Sequence, residues 1–169
     1  MIKKKIVISD IKIKILQKSH LSVKYLKWIN DKKVMRFTSF YRKKSTMEDL
    51  LKFYKNIKKS RNQILYGIFI KNSHIGNCKL GPINFKKRTA EISYLIGEKK
   101  YWGRGIGKIA VHKLCKKGKN LSLKNIYAST DKSNKYSILL LLSNNFKRTT
   151  YNPHKVVLNK NDVLYHKVL

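Results

Sequence analysis

With 169 residues and a formal net charge of +32, the chain is long enough to bury its own core without a disulfide or a metal. Its two cysteines, Cys78 and Cys115, lack CxxC spacing and its five histidines lie far apart, so we expect no metal site. No apolar run approaches the roughly 18 residues of a membrane-spanning helix, and we expect one cytoplasmic domain over residues 1–169 with no membrane partner.

The positive charge raises the question of nucleic-acid binding, because a basic surface attracts polyanions. The cations are spread along the whole chain and nearly all are lysine, whereas a nucleic-acid reader more often clusters arginine on one element. We therefore expect no specific nucleic-acid partner. The charge still favours small polyanionic ligands.

The first part of the chain alternates isoleucine with polar residues. This period of two predicts strands over residues 2–8 and 11–16. Ser19 is expected to cap a helix over about 20–30, with Trp28 on its apolar face. A tryptophan in that position is more often a core residue than a substrate stacker.

Residues 31–44 mix aromatic residues with cations and show no clear period. Ser45 and Glu48 then predict a capping box, which opens a helix ending near Lys58. Three strands follow, predicted over Ile64–Ile70, His74–Ile83 and Thr89–Ile96. Pro82 is expected to mark a strand end or edge, since proline cannot donate to a ladder.

A glycine-rich stretch follows the last of these strands. Gly103, Gly105 and Gly107 lack a Cβ, so consecutive backbone N–H groups can converge on one point. That point lies at the start of a helix, where the dipole favours an anion, most often a phosphate. The Walker pattern is excluded because Ile109 follows Lys108, and the dinucleotide pattern is excluded because the spacing is G-x-G-x-G.

The remaining predicted elements are helix Ile106–Lys116, strand Lys124–Ser129, helix Asn134–Asn144, and strands Phe146–Thr150 and Val163–Val168. No internal repeat or low-complexity linker interrupts them. The strands before the glycine-rich stretch form a meander, and the helix after it leads to a further strand.

The segment Trp102-Gly-Arg-Gly-Ile-Gly107 resembles the acetyl-CoA loop of the GNAT superfamily of N-acetyltransferases, written Arg/Gln-x-x-Gly-x-Gly/Ala. Downstream, Asn134 opens a helix and Asn145-Phe146 stands where the family has Gly-Phe. Upstream, Tyr25–Asp31 looks like the first helix of one branch, which contains ribosomal-protein N-terminal acetyltransferases and amino-sugar acetyltransferases for polysaccharide and flagellar glycan. The resemblance covers nearly the whole chain. It implies an α+β (α/β) GNAT fold, with a mixed, mostly antiparallel central sheet of six to seven strands and about four flanking helices.

The resemblance also implies acetyl-CoA as cosubstrate. The residues implied to bind it are Leu95, Ile96, Gly97, Trp102, Gly103, Arg104, Gly105, Ile106, Gly107, Lys108 and Asn134. Backbone N–H groups of about 102–108 would hold the pyrophosphate, and residues 95–97 would lie along the pantetheine arm with one N–H on the acetyl oxygen. Asn134 would bond the pantetheine or a bridging water, and a plain helix N-cap is the alternative.

One catalytic position follows from the same resemblance, and a second from the place of a carboxylate on a strand. The family usually places a tyrosine seven residues after the asparagine as general acid for the thiolate, and here that position is Leu141. We expect room there, so that Leu141→Tyr should raise turnover or leave it unchanged. Glu91, on one strand face with Ser93 and Leu95, is the candidate general base, and a structural partner of a lysine is the alternative.

The acceptor is expected to be a primary amine of low pKa. At pH 7, deprotonating an amine of pKa near 8 costs about 1.4 kcal/mol and one near 10.4 about 4.6 kcal/mol, which disfavours lysine and polyamine acceptors in a chain with eight carboxylates. The segment His74–Asn84 looks most like amino-sugar enzymes, so we expect a nucleotide-linked amino sugar. A protein N-terminal acetyltransferase and a non-catalytic CoA- or RNA-binding module stay open, as does a homodimer. The expected acceptor-binding residues are Arg36, Phe37, Phe40 and Tyr41.

Overall fold

The computed structural model describes residues 10–38, 44–153 and 158–169. Its strands are β1 (Ile11–Ile15), β2 (Ile64–Ile70), β3 (Ser73–Asn84), β4 (Thr89–Ile96), β5 (Asn125–Asp131), β6 (Lys147–Thr149) and β7 (Asp162–Val168). Its helices are α1 (Val23–Ile29), α2 (Lys32–Met35), α3 (Met47–Lys59), α4 (Ile106–Asn120) and α5 (Lys135–Leu142). The predicted strand over residues 2–8 lies outside the described residues.

The strands form a single sheet in the order β1-β2-β3-β4-β5-β7-β6. Every neighbouring pair is antiparallel except β4 and β5, which are parallel. The predicted mixed, mostly antiparallel sheet is therefore confirmed. The described residues form five helices rather than about four, because Asp31 caps an additional short turn, α2, by accepting from the amides of Lys33 and Val34.

The predicted bounds of β2 and β4 are confirmed, whereas β3 is longer than predicted. It continues through Pro82 to Asn84, and its register against β4 shifts between Leu80 and Ile83. Pro82 therefore does not end the strand, but it lies past Leu80, the last residue of β3 that pairs with β2, where β3 has become an edge on that side. An irregularity in the ladder accommodates the missing N–H inside the strand.

The start of the first helix differs from the prediction. Ser22, not Ser19, caps α1, and its hydroxyl accepts from the amide of Tyr25 at 3.2 Å. Residues Lys18–His20 form a separate 3₁₀ turn, in which the ring of His20 accepts from the amide of Gln17. This local bond diverts Ser19 from the capping position.

The capping box of α3 lies one residue later than predicted. It is formed by Thr46 and Asp49, not by Ser45 and Glu48. The amide of Ser45 instead donates to the side chain of Asn30 at 2.8 Å, which ties this residue to the end of α1. A contact between distant residues therefore decides between two adjacent candidate caps.

Among the described residues, the two largest hydrophobic clusters cover the two faces of the sheet, and Tyr127 and Leu164 form a third, small cluster. The larger core lies between the sheet and helices α4 and α5, and includes Ile92, Leu114 and Phe146. The smaller core lies beneath α1 and α3 on the opposite face, where Trp28 and Leu65 are buried. The interpretation of Trp28 as a core residue is confirmed, since it is 5% exposed.

Leu141 belongs to the larger core and is 1% exposed. The expectation of room for a tyrosine at this position is therefore wrong. The run of four leucines that ends α5 obscures this in the sequence, because a continuous apolar run does not reveal which member faces the core.

Leu141→Tyr should destabilise the protein rather than improve the enzyme. Overpacking a filled core typically costs about 1–3 kcal/mol, and burying the hydroxyl without a partner adds to that cost. Urea unfolding should show a lower midpoint for this variant than for the wild type. Leu139→Tyr is the matched control, because Leu139 is 65% exposed on the same helix, and equal midpoints for the two variants would contradict the burial of Leu141.

Candidate functional site

A gap opens between β4 and β5 in the middle of the sheet. The two strands pair only where Thr89–Glu91 lies beside Asn125–Tyr127. Beyond this point β4 stays paired with β3 as far as Ile96, while β5 stays paired with β7 as far as Asp131. The second halves of β4 and β5 are thus held by different partners, and we call the space between them the β4–β5 gap.

The direction of each backbone group along β4 follows from one hydrogen bond at its end. The N–H of Gly97 donates to the carbonyl of Ile75 at 3.0 Å, toward β3. Hydrogen-bonded and non-bonded pairs alternate in an antiparallel ladder. The N–H group of Leu95 therefore also points toward β3, whereas the N–H groups of Tyr94 and Ile96 point into the gap. The indole Nε1 of Trp102 donates to the Ile96 carbonyl at 2.8 Å, which agrees with this direction.

Of the three residues expected along the pantetheine arm, only Ile96 therefore presents its amide to the gap. Tyr94 presents a second amide that the sequence analysis missed, because strand register is not visible in the sequence. Gly97 has a packing role instead, since a Cβ there would overlap the ring of Trp28. The Trp28 indole in turn donates to the Glu98 carboxylate at 3.1 Å.

The glycine-rich stretch has the conformation that its composition predicts. Gly103 and Gly105 have φ of 70° and 75°, in the left-handed region, and no atom lies within 4 Å of a Cβ built on either. These two glycines are thus required by the backbone and border open space. At Gly107 the reason is close packing, since a Cβ would lie 2.6 Å from Leu140 Cδ1.

The start of α4 offers free donors to an anion. Gly105 is its N-cap and provides no side chain, and its first turn contains no acidic residue. Within the described part of the chain, no hydrogen bond engages the N–H groups of residues 103–108. The exposed cations Arg104 and Lys108 lie on the same segment, so the site can bind a phosphate or pyrophosphate.

The α5 side of the gap carries two hydroxyl groups. Tyr94 directs its side chain toward α5, and its phenol oxygen lies 2.8 Å from Ser137 Oγ. Asn134 caps α5 through Oδ1, which accepts from the Ser137 amide at 3.2 Å. Burial raises the pKa of Tyr94, and the bond to Ser137 partly opposes that increase.

Glu91 lies on the opposite face of β4, in line with the exposed Ser93. It is half-buried, and burial raises its pKa while the charge of Lys79 on β3 lowers it. Burial likewise lowers the pKa of Lys79, whose ammonium donates to Gln63 at 3.1 Å. A carboxyl group with a raised pKa is suited to accept a proton near neutral pH.

Arg36 and Phe37 follow α2, and both are exposed. The Arg36 guanidinium lies 5.0 Å from the ring centroid of Phe37. Bonds from Ser133 hold the pKa of Asp131 low, and the charges of Lys132 and Arg36 lower it further, so Arg36 lies near the end of β5. The other two expected acceptor-binding residues, Phe40 and Tyr41, lie outside the described residues.

The described residues offer neither a metal site nor a membrane-spanning helix. No cluster of three His, Cys, Asp or Glu side chains there could hold a metal ion. No described helix combines the length and the apolar character that crossing a bilayer requires.

Comparisons with solved structures reveal the same fold at low sequence identity. The ribosomal L7/L12 α-N-protein acetyltransferase RimL, in complex with coenzyme A, has a TM-score of 0.81 and 16% identity, with 97% of each chain covered. Spermidine N-acetyltransferase from Vibrio cholerae, in complex with CoA and spermine, has a TM-score of 0.79 and 16% identity, over 95% of this chain and 96% of that one. The microcin C7 self-immunity acetyltransferase MccE, in complex with acetyl-CoA and AMP, has a TM-score of 0.79 and 19% identity, over 95% and 93%.

No curated protein sequence matches the chain. A family model described as an acetyltransferase (GNAT) domain matches residues 13–147, which is most of the 169 residues. The expected GNAT fold is confirmed, and the chain belongs to the GNAT acetyltransferase family, enzymes that take the acetyl group from acetyl-CoA.

Proposed function

We propose that the chain transfers acetyl from acetyl-CoA to the primary amine of a small anionic acceptor, a nucleotide-linked amino sugar, as in the amino-sugar branch of the family. One observation carries the acyl-transfer part of this proposal. The β4–β5 gap, with two inward-facing amides, lies next to a helix start with free amides. An acyl group and a diphosphate thus each find backbone donors in adjacent parts of one site.

The diphosphate of acetyl-CoA binds at the start of α4. The N–H groups of residues 103–108 have no hydrogen-bond partner among the described residues, and Arg104 and Lys108 add positive charge. Trp102 contributes by closing onto the end of β4 through its bond to the Ile96 carbonyl. The preference of this site for an anion comes mainly from the main chain, which explains why the loop tolerates tryptophan in its first position.

The pantetheine arm runs from this loop into the gap, along β4. The free amides of Tyr94 and Ile96 face it, and either can donate to the acetyl oxygen as negative charge develops there. The Oδ1 atom of Asn134 caps α5 and so is already hydrogen-bonded. Its side-chain amide nitrogen has no hydrogen bond within the described residues and can donate to the pantetheine arm. Leu95 lines the other face with its side chain.

Glu91 acts as general base from the acceptor side of the sheet. It lies three residues before Tyr94 on the same strand, which separates the two Cα atoms by about 10 Å at the rise of a β-strand. Because the Glu91 side chain stands roughly perpendicular to the sheet, the proton reaches its carboxylate through bridging water. The partly buried position of Glu91 raises its pKa and so fits this role.

The positive charges near the site favour an anionic acceptor. Lys79 is half-buried on the acceptor face beside Glu91, and Arg36 lies near the end of β5. Together with the net charge of +32, these cations favour an acceptor whose amine accompanies a phosphate. The AMP bound with acetyl-CoA to the MccE structure supports room for a nucleotide in this fold.

Gly105→Val should lower the affinity for acetyl-CoA at least tenfold in calorimetry. A β-branched residue is strained at a φ of 75°, and its side chain enters the open space expected to hold the anion. Asn145→Val is the matched control, because Asn145 has a φ of 62° after α5, away from the loop. Unchanged affinity in Gly105→Val, or an equal loss in both variants, would contradict a diphosphate site at this loop.

The activity of the enzyme should fall at acidic pH as Glu91 becomes protonated. Lys79→Met removes the positive charge that lowers the pKa of Glu91, so this limb of the kcat/KM profile should move to higher pH. Glu91→Gln should abolish the limb and lower kcat/KM about 10²-fold, leaving only the limb of the acceptor amine. Lys86→Met, on the exposed β3–β4 turn, is the control, and a shared profile for all four proteins would exclude Glu91 as the base.

The acceptor class is tested with a nucleotide-linked amino sugar, a peptide with a free N-terminus and spermidine, each at low and high salt. The sugar should react fastest, and salt should slow it, because screening weakens attraction to the basic chain. Arg36→Ala should raise the KM for the sugar several-fold without changing acetyl-CoA affinity. Arg61→Ala, at another exposed arginine, is the control and should leave both unchanged. If the peptide reacts fastest and the sugar not at all, the acceptor is a protein N-terminus.

A further inference from the structure

Acetyl transfer leaves a charged sulfur atom in the gap. When the amine attacks the thioester, an N–C bond forms, the C–S bond breaks, and its electron pair stays on sulfur. A thiol has a pKa of about 8.5, so the departing thiolate takes up a proton at neutral pH. The side chains that line the gap therefore decide how this charge is neutralised.

The two hydroxyl groups of Tyr94 and Ser137 lie on the route proposed above for the pantetheine arm. The Tyr94 ring stands beside the start of α4, with Cε2 3.6 Å from the position of a Cβ on Gly107. Its phenol oxygen reaches Ser137 Oγ, 2.8 Å away on the first turn of α5. A ligand that extends from the glycine loop to the gap-facing amides must pass this pair.

Other proton donors nearby are directed elsewhere or already bonded. Leu141 has no proton to donate and is 1% exposed in the core. Tyr136 is 85% exposed and so projects from α5 into solvent. The Trp102 indole N–H is bonded to the Ile96 carbonyl.

We propose that the phenol of Tyr94 protonates the departing CoA thiolate, with the Ser137 hydroxyl holding it in place and sharing its proton. This inference rests on the proposed acetyl transfer and adds a residue to it. The O–H bond of Tyr94 breaks as the S–H bond of CoA forms. The acceptor amine loses one proton to Glu91, which passes it to solvent. The tyrosinate takes up a proton from solvent, so the reaction consumes no further reagent.

The surroundings of Tyr94 suit a donor that must be protonated before each turnover. Burial raises its pKa, so the phenol keeps its proton throughout the neutral range. Its hydroxyl is hydrogen-bonded to Ser137, and within the described residues no lysine or arginine donates to it. The hydroxyl is therefore available when the thioester enters.

The test uses free CoA, so that no acceptor is needed. The ionisation of the bound CoA thiol is followed by the ultraviolet absorbance of the thiolate in the wild type, Tyr94→Phe and Ser137→Ala. A hydrogen bond to the charged form lowers a pKa, so Tyr94→Phe should raise the thiol pKa by about one to two units and Ser137→Ala by less.

The controls remove matched hydroxyl groups outside the gap. Tyr66→Phe changes a buried tyrosine on the same sheet face, since Tyr66 pairs with Cys78, which pairs with Tyr94. Ser143→Ala changes the hydroxyl at the other end of α5. Neither should move the thiol pKa, and thermal denaturation checks that every variant is folded.

A kinetic measurement separates proton donation from packing. With an active acceptor, Tyr94→Phe should lower kcat at least tenfold while leaving acetyl-CoA affinity unchanged. Fluorinated tyrosine at position 94, whose phenol is more acidic, should move the alkaline limb of kcat to lower pH, which a packing role does not predict. If CoA binds with the same thiol pKa in every variant, Tyr94 is not the donor, whereas a failure of the wild type to bind CoA overturns the proposed function itself.

Discussion

The end of the pairing between β4 and β5 is the constraint on which the rest of the site depends. Backbone N–H groups inside a protein are almost always hydrogen-bonded, because an unpaired buried donor costs about 1–3 kcal/mol. Past Glu91, β4 stays paired with β3, and the Ile75 carbonyl accepts both the Gly97 and the Glu98 amides, whereas the pairing with β5 has ended. The resulting gap leaves N–H donors that a ligand can satisfy. The separation of the strands therefore creates the binding site.

The same strand also separates the two halves of the proposed chemistry. Side chains alternate between faces along a strand, so Glu91 projects toward the acceptor while Tyr94 projects toward α5. In this proposal, Glu91 takes the proton of the amine from one face of the sheet, and Tyr94 protonates the leaving sulfur from the other. Burial and the charge of Lys79 shift the pKa of Glu91 on one face, whereas burial and the bond to Ser137 shift the pKa of Tyr94 on the other.

Patterns that depend on neighbouring residues were predictable from the sequence. The bounds of β2 and β4 follow from short apolar runs between turn residues, and the conformation of Gly103 and Gly105 follows from the glycine requirement of a left-handed backbone. The capping box of α3 was misplaced by one residue because Asn30 binds the Ser45 amide. Such a contact, between residues fifteen positions apart, has no local signal.

The least predictable parts of the site depend on register and on burial. Which amides of β4 face the gap is fixed by its alignment with β3, and a shift of one residue would exchange Leu95 for Ile96. Tyr94 and Ser137 lie 43 positions apart, so nothing in either segment indicates the other. The burial of Leu141 within a leucine run likewise emerges only once α5 is placed on the sheet.

The dependence of the site on main-chain groups has a consequence for how such a protein diverges. Amide N–H groups are the same for every residue except proline, so substitutions can replace most side chains around the gap without changing the donors. This chain has the fold of RimL and MccE at 16% and 19% identity, despite a composition rich in lysine and isoleucine. Main-chain donors can thus bind the same acyl donor in chains of very different sequence, while the side chains around them can differ in the acceptor that they favour.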